Sequence, residues 1–261
     1  MMITQRRRTA GIRLQHDEID LHLDPGPGAL VFSNWAGLSP QKLSGILVSH
    51  GHLDHYGDAE VLIEAMTQGT TKKRGYLLAP KSVLSGSDVS ERSVSLYHQQ
   101  LVQEVVEMSP GRQFRFEDIA VKATRSLHGD PDAIGFRFAA SGVGEIGYTS
   151  DTSVYPGIGD EYGGLRLLVL CTIRPRGSPL PLHLSIDDAY EILRSSKPLS
   201  AVLTGFGMGL QAAKAAEQAK WLEEDCGIPV VAAEDGMTIT LGDDVTVQGP
   251  GKRGATRVID V

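Results

Sequence analysis

The sequence predicts a mixed α/β protein, and three observations carry that prediction. Apolar runs of strand length, such as Gly45-Ile46-Leu47-Val48-Ser49 and Leu165 to Ile173, alternate with segments of helical pattern. Proline and glycine turns punctuate them. The densest polar cluster, His50-Gly51-His52-Leu53-Asp54-His55, directly follows one of these runs. It therefore sits at the carboxyl end of a strand, where ligands of α/β folds gather.

Residues 11–24 alternate in places, as in Ile19-Asp20-Leu21-His22-Leu23-Asp24, and read as a hairpin with His16 and His22 on strand faces. Asp24-Pro25-Gly26-Pro27-Gly28 requires a tight turn. Gly45 to Ser49 is a buried strand and Asp58 to Thr67 a helix. Tyr76-Leu77-Leu78-Ala79-Pro80 is a short strand ended by proline, and serine-rich residues 81–95 form a loop with a short helix. Tyr97 to Met108 carries a helical pattern, with Leu101, Val105 and Met108 on one face. Strands follow at Phe114-Arg115-Phe116 and Ile119 to Ala123, then a hairpin of Ile134 to Phe138 and Glu145 to Tyr148. Leu165 to Ile173 is a buried strand holding Cys171. Ser185 and Asp188 form a capping box for a helix from Ile186 to about Ser195. Ala201 to Thr204 is a strand, Gln211 to Asp225 an alanine-rich helix closed by Gly227, and Ile228 to Ala232 and Met237 to Leu241 are closing strands. Residues 249–261 read as a loose tail on a single domain without internal repeats.

A chain of 261 residues can bury one substantial core. Its 41% hydrophobic and 22% charged content is that of a soluble globular protein rather than a disordered one. A net charge of −7 and a pI near 5.6 argue against nonspecific nucleic-acid binding, so nucleic acid is not the favoured partner. Arg6-Arg7-Arg8 reads as a solvated strand start. Cys171 and Cys226 lie in no C-x-x-C pair, which fits a reduced, cytoplasmic setting without a disulfide framework. The basic opening has no apolar h-region after it, so it is not a signal peptide. No apolar stretch approaches the roughly 20 residues that span a bilayer, so no membrane partner is expected. Nothing in the sequence specifies an oligomeric state.

Three imidazoles and a carboxylate within six residues suit zinc and similar divalent ions. Their spacing lets His50 and His52 point to one centre, and Asp54 and His55 to a second. Arg174 and Arg176 leave a buried strand as a loop, either toward an anionic substrate or into solvent. Gly205-Phe206-Gly207-Met208-Gly209 follows a strand as a dinucleotide loop does, but Leu210 stands where G-x-G-x-x-G needs glycine.

The H-x-H-x-D-H run resembles that of the metallo-β-lactamase superfamily, and the resemblance covers most of the chain. The order of elements is closest to the ribonuclease Z and phosphodiesterase-like branch, not to true β-lactamases. This implies a four-layer αββα sandwich, two mixed sheets flanked by helices, with the site in loops at strand ends. It also implies two divalent ions, zinc or else manganese or iron, because nitrogen and oxygen ligands do not fix which. Asp24 resembles the family's early aspartate, either supporting the metal loop or serving as an ordinary turn residue. His50, His52 and His128 would hold one ion, Asp54 and His55 the other, with the two oxygens of Asp151 between them. Asp151 stands where β-lactamases of the superfamily use a cysteine, and Cys171, inside an apolar run, does not replace it. His183 resembles the histidine that assists leaving-group protonation, and Asp54 is a second catalytic candidate, as base or hydroxide orienter.

One position departs from the pattern. Where the family reads threonine, histidine, phenylalanine, glycine, this chain has Thr204-Gly205-Phe206-Gly207, so Gly205 replaces the last ligand histidine. Three outcomes are open: His183 or water completes the site, the second ion binds weakly, or the glycine impairs an otherwise standard site. The expected activity is hydrolysis of a phosphodiester, in a small or cyclic anionic substrate, by a metal-bound hydroxide. No insertion is long enough for a dedicated tRNA-binding arm, which lowers tRNA processing. The alternatives are carboxyl ester, lactone or thioester hydrolysis, and a metal-binding protein with impaired catalysis.

Overall fold

Strand-forming residues pair into two main sheets in the computed structural model, which describes residues 4–210, 212–251 and 256–259. By internal contacts the chain forms two units, Met1–Phe114 with Asp130–Ile134, and Arg115–Gly129 with Gly135–Val261. No described helix is long and apolar enough to cross a membrane.

In the first unit the alternating N-terminal stretch folds as the antiparallel hairpin Ile12–His16 and Ile19–Leu23. Gly45–Leu47, Tyr76–Ala79 and Glu104–Glu107 then add in parallel, in chain order, to complete a five-stranded sheet. A parallel strand is covered on both faces, which is why Gly45–Leu47 is buried throughout and reads as an unbroken apolar run. Ile46, Val48, Leu62, Ile63, Met66 and Leu77 share one core, bringing helix Ala59–Met66 onto the sheet.

The second unit is built on the strand order Val230–Ala232, Ser200–Thr204, Leu167–Arg174, Gly144–Tyr148, Ile134–Ala140, Ile119–Arg125 and Gln113–Phe116. The first four run parallel, and the predicted 134–148 hairpin is antiparallel. Helix Ile186–Ser196 opens with the predicted capping box. Ser185 Oγ accepts from the Asp188 N–H, while the Asp188 carboxylate accepts from Ser185 N–H at 2.7 Å. Helix Ala212–Cys226 ends before Gly227, whose φ is +66°. The expected helix start at Gln211 lies outside the described residues.

Two elements differ from the sequence expectation. The helical pattern over Tyr97 to Met108 ends as helix at Leu101, and Glu104–Glu107 is a strand paired with Tyr76–Ala79. Val102 is already extended, at ψ 156°, and the β-branched Val105 and Val106 suit a pleated ladder better than a helix. The spacing of Leu101, Val105 and Met108 matches a helix by coincidence. The tail is not loose throughout: Thr256–Ile259 pairs antiparallel with Val245–Gln248, and Ile259 is buried beside Val245 and Val247. That strand depends on a partner, Val245–Gln248, which the sequence reading did not identify as a strand. Residues 252–255 and 260–261 of the expected tail lie outside the described residues.

His22 is 1% exposed, and its Nε2–H donates to the Ala10 carbonyl at 2.7 Å. Burial disfavours the imidazolium and lowers its pKa from 6.5 to about 4. Below pH 6.5 the unfolded chain takes up a proton that the folded chain refuses. Stability contributed by His22 is therefore full above pH 6.5 and lost as pH falls toward 4. The expected loss is about 3 kcal/mol. Urea unfolding from pH 7 to pH 4 should show this decline, and His22→Gln, which keeps the donor, should flatten it.

Candidate metal centre

The first unit gathers His50, His52, Asp54 and His55 on one loop and the short helix Leu53–Tyr56, just beyond strand Gly45–Leu47. The turn that follows strand Ile19–Leu23 lies beneath them. Asp24, 4% exposed, accepts hydrogen bonds there from Ser49 and His55. The Ser49 N–H reaches Oδ1 at 2.7 Å, and Oδ2 receives the Ser49 hydroxyl at 2.6 Å and His55 Nδ1 at 2.8 Å. Because the Ser49 proton goes to Asp24, Ser49 Oγ must accept from His50 Nδ1, 3.0 Å away. Both imidazoles thus carry their proton on Nδ1 and present Nε2 as a lone-pair donor, the tautomer a metal ion requires. The ring centroid of His50 lies 4.7 Å from that of His52 and 4.2 Å from that of His55. Of the two roles open for Asp24, the hydrogen bonds assign support of the histidine loop. Gly26 lets the turn approach: a Cβ there would sit 2.0 Å from the Asp54 carbonyl oxygen.

A second buried carboxylate fixes the same loop. Asp130 Oδ2 accepts from the Gly51 N–H and from Ser82 Oγ, both at 2.7 Å, while Oδ1 accepts from Asp132 N–H at 2.9 Å. It pins the backbone between His50 and His52. Sequence reasoning gave Asp130 and Ser49 no part, although an acid in a His128-Gly129-Asp130 run was a visible signal.

In the second unit His128, Asp151 and His183 each offer a ligand atom, and these atoms lie within 4.8 Å of one another. The loops bearing the first two are stitched together. Ser126 Oγ donates to the Asp151 carbonyl at 2.9 Å, Leu127 N–H to Thr152 Oγ1 at 2.9 Å, and Ser153 N–H to the Leu127 carbonyl at 2.9 Å. His128 Nδ1–H donates to the Leu182 carbonyl at 2.8 Å. The nitrogen and oxygen donors in each unit, with Nδ1 of His50, His55 and His128 held by hydrogen bonds to the protein, fit divalent ions such as zinc.

Gly205, by contrast, offers no donor. Its φ is +69°, and a Cβ would meet Cys171 Cα and Cβ at 3.3 Å and Sγ at 3.4 Å. A histidine there would be strained in backbone and tight against a buried strand. Arg176 stacks its guanidinium 4.0 Å over the Trp221 ring, and Arg174 Nε donates to the Ser178 carbonyl at 3.2 Å. Arg174 is thus engaged within its own loop, and Arg176 with helix Ala212–Cys226.

Residues 20–206 match the model of the β-lactamase superfamily domain. The chain belongs to the metallo-β-lactamase superfamily. The uncharacterised protein MJ1374 of Methanocaldococcus jannaschii is 38% identical over 239 residues, 92% of this chain and 90% of that one. Ribonuclease Z of Pyrococcus abyssi is 29% identical over 136 residues, 52% of this chain and 43% of that enzyme. Among solved structures, the metallo-β-lactamase fold protein YhfI of Bacillus subtilis is similar at TM-score 0.73, with 15% identity over 88% of this chain and 90% of that one. A diphosphatase of the PhnP family is similar at TM-score 0.63, with 21% identity over 85% of this chain and 80% of that one. The fold class expected of this superfamily member is the fold that these similarities show.

The Asp24 network carries a direct test. Its carboxylate faces donors at both oxygens, so the amide N–H₂ of Asp24→Asn meets a donor whichever way it turns. The variant should bind zinc roughly 10–100-fold more weakly, as read by competition with a chromophoric chelator.

Proposed function

We propose that this superfamily member is a metal-dependent hydrolase of phosphodiesters in small anionic substrates. The observation that carries the reading is the hydrogen-bond relay through Asp24 and Ser49, which commits His50 and His55 to the Nε2-donor tautomer before any ion arrives. The phosphodiester is favoured by the ribonuclease Z and PhnP-family diphosphatase among the similar proteins, and by Asp151 standing where β-lactamases of the superfamily carry cysteine. The residue assignment follows the family's motif order. By that order His50, His52 and His128 would hold one ion, and Asp54, His55 and Asp151 would hold a second. Bound divalent ions there would supply a water-derived nucleophile near neutral pH and stabilise charge on the phosphoryl oxygens.

The chain's own groups do the rest. Asp54, on the short helix, orients the attacking water by accepting its hydrogen bond, and takes its proton if it acts as base. Asp24 and Asp130 hold the histidine loop so that no reorganisation is needed during turnover. Proton transfer to the leaving group is open to His183 by its motif, in competition with ligation.

Protein loaded separately with zinc, manganese or iron should hydrolyse bis(p-nitrophenyl) phosphate, and a chelator should abolish that activity. Faster turnover of p-nitrophenyl acetate, a lactone or a thioester by the same preparations would favour carboxyl-ester chemistry instead. Background rates on every substrate with saturating metal would favour a binding protein without catalysis.

A further inference from the structure

His183 and Asp151 face each other across an ion-pair distance that two ligands of one metal ion would also keep. Their Nε2 and Oδ2 atoms are 3.6 Å apart, too long for a useful hydrogen bond. Two ligands at about 2.0–2.1 Å from one tetrahedral zinc ion lie about 3.4 Å from each other. The observed separation is therefore close to that of two ligands of the same ion. His128 completes the trio, its ring centroid 4.9 Å from that of His183 and the two planes nearly perpendicular at 88°.

Both rings are also prepared for ligation by one short segment. The Pro181 carbonyl lies 3.0 Å from His183 Nδ1, and the Leu182 carbonyl lies 2.8 Å from His128 Nδ1. A carbonyl only accepts, so each Nδ1 carries a proton, and in the neutral ring each Nε2 carries the lone pair. Successive carbonyls thus set the tautomers of two imidazoles, with Leu182 held at φ +64°. The mount is rigid. His183 N–H donates to the Leu180 carbonyl, and the next residues, Leu184–Ser185, pair with strand Leu167–Arg174 and cap helix Ile186–Ser196.

We infer that His183 is a metal ligand, binding an ion through Nε2 together with His128 and Asp151. This rests on the reading that the chain holds divalent ions, and it takes His183 out of leaving-group protonation, because a coordinated lone pair cannot carry the transferred proton.

The test uses His183→Asn, whose side-chain N–H₂ can still donate to the Pro181 carbonyl while no Nε2 remains. Metal content per chain, measured by mass spectrometry after zinc loading and desalting, should fall by about one ion relative to the parent protein. The metal-free melting temperatures of the two proteins should agree. Zinc titration of ¹⁵N-histidine-labelled parent protein, followed by NMR, should shift the His183 Nε2 resonance, a readout that requires no folded variant. Hydrolysis of phosphodiesters with good and poor leaving groups should fall by the same factor in His183→Asn. Unchanged metal content with an unshifted Nε2 resonance would overturn the inference. So would activity lost only on poor leaving groups, which is the mark of a proton donor. A parent protein that binds no zinc at all would instead overturn the metal-dependent hydrolase reading itself.

Discussion

A carboxylate taken out of water must be compensated by hydrogen bonds, and that requirement shapes the first unit around Asp24. Its donors are the backbone and hydroxyl of Ser49 and the ring of His55. All of these donors belong to the segment that carries the candidate ligands, and the His55 bond fixes a proton on the ring of a candidate ligand itself. One buried charge therefore ties the turn after strand Ile19–Leu23 to the loop after strand Gly45–Leu47, and fixes through Ser49 which nitrogen of His50 faces outward. Asp130 repeats the device on Gly51. A loop that would otherwise be mobile is clamped from two sides by acids that bind no ion in the proposed assignment.

The second unit achieves the same preparation by different means. Backbone carbonyls at Pro181 and Leu182, not carboxylates, orient its two imidazoles, and a short strand and capped helix anchor those carbonyls. The glycine at 205 belongs to this arrangement. With φ +69° and Cys171 at its back, the position is shaped for a residue without a side chain. The imidazole that the family's pattern puts at this position is absent here, and the second unit's histidines come from the segments around 128 and 183.

Much of this was legible in the residues. The strand preceding His50, the hairpins at 11–24 and 134–148, the capping box at Ser185 and Asp188, and the polar cluster itself are local patterns, each set by neighbours within about ten positions. Asp24 was visible as a turn aspartate, but its purpose was not, because its partners lie 25 and 31 residues away. Asp130 went unassigned for the same reason, reaching Gly51 across 79 residues. The strand Glu104–Glu107 was misread as helix because three apolar residues happened to fall at helical spacing, and pairing with Tyr76–Ala79 outweighed that pattern.

Sequence alone determined the family and the class of fold, and it nominated the candidate donor residues, since these depend on residue types and short spacings. Tertiary structure decided which ring nitrogens are taken up by hydrogen bonds to the protein and that His183 stands beside Asp151 at ligand spacing. It also decided why residue 205 accommodates glycine. Those properties rest on hydrogen bonds and contacts between distant segments, and no local pattern encodes a distance of a few ångströms between residues 151 and 183.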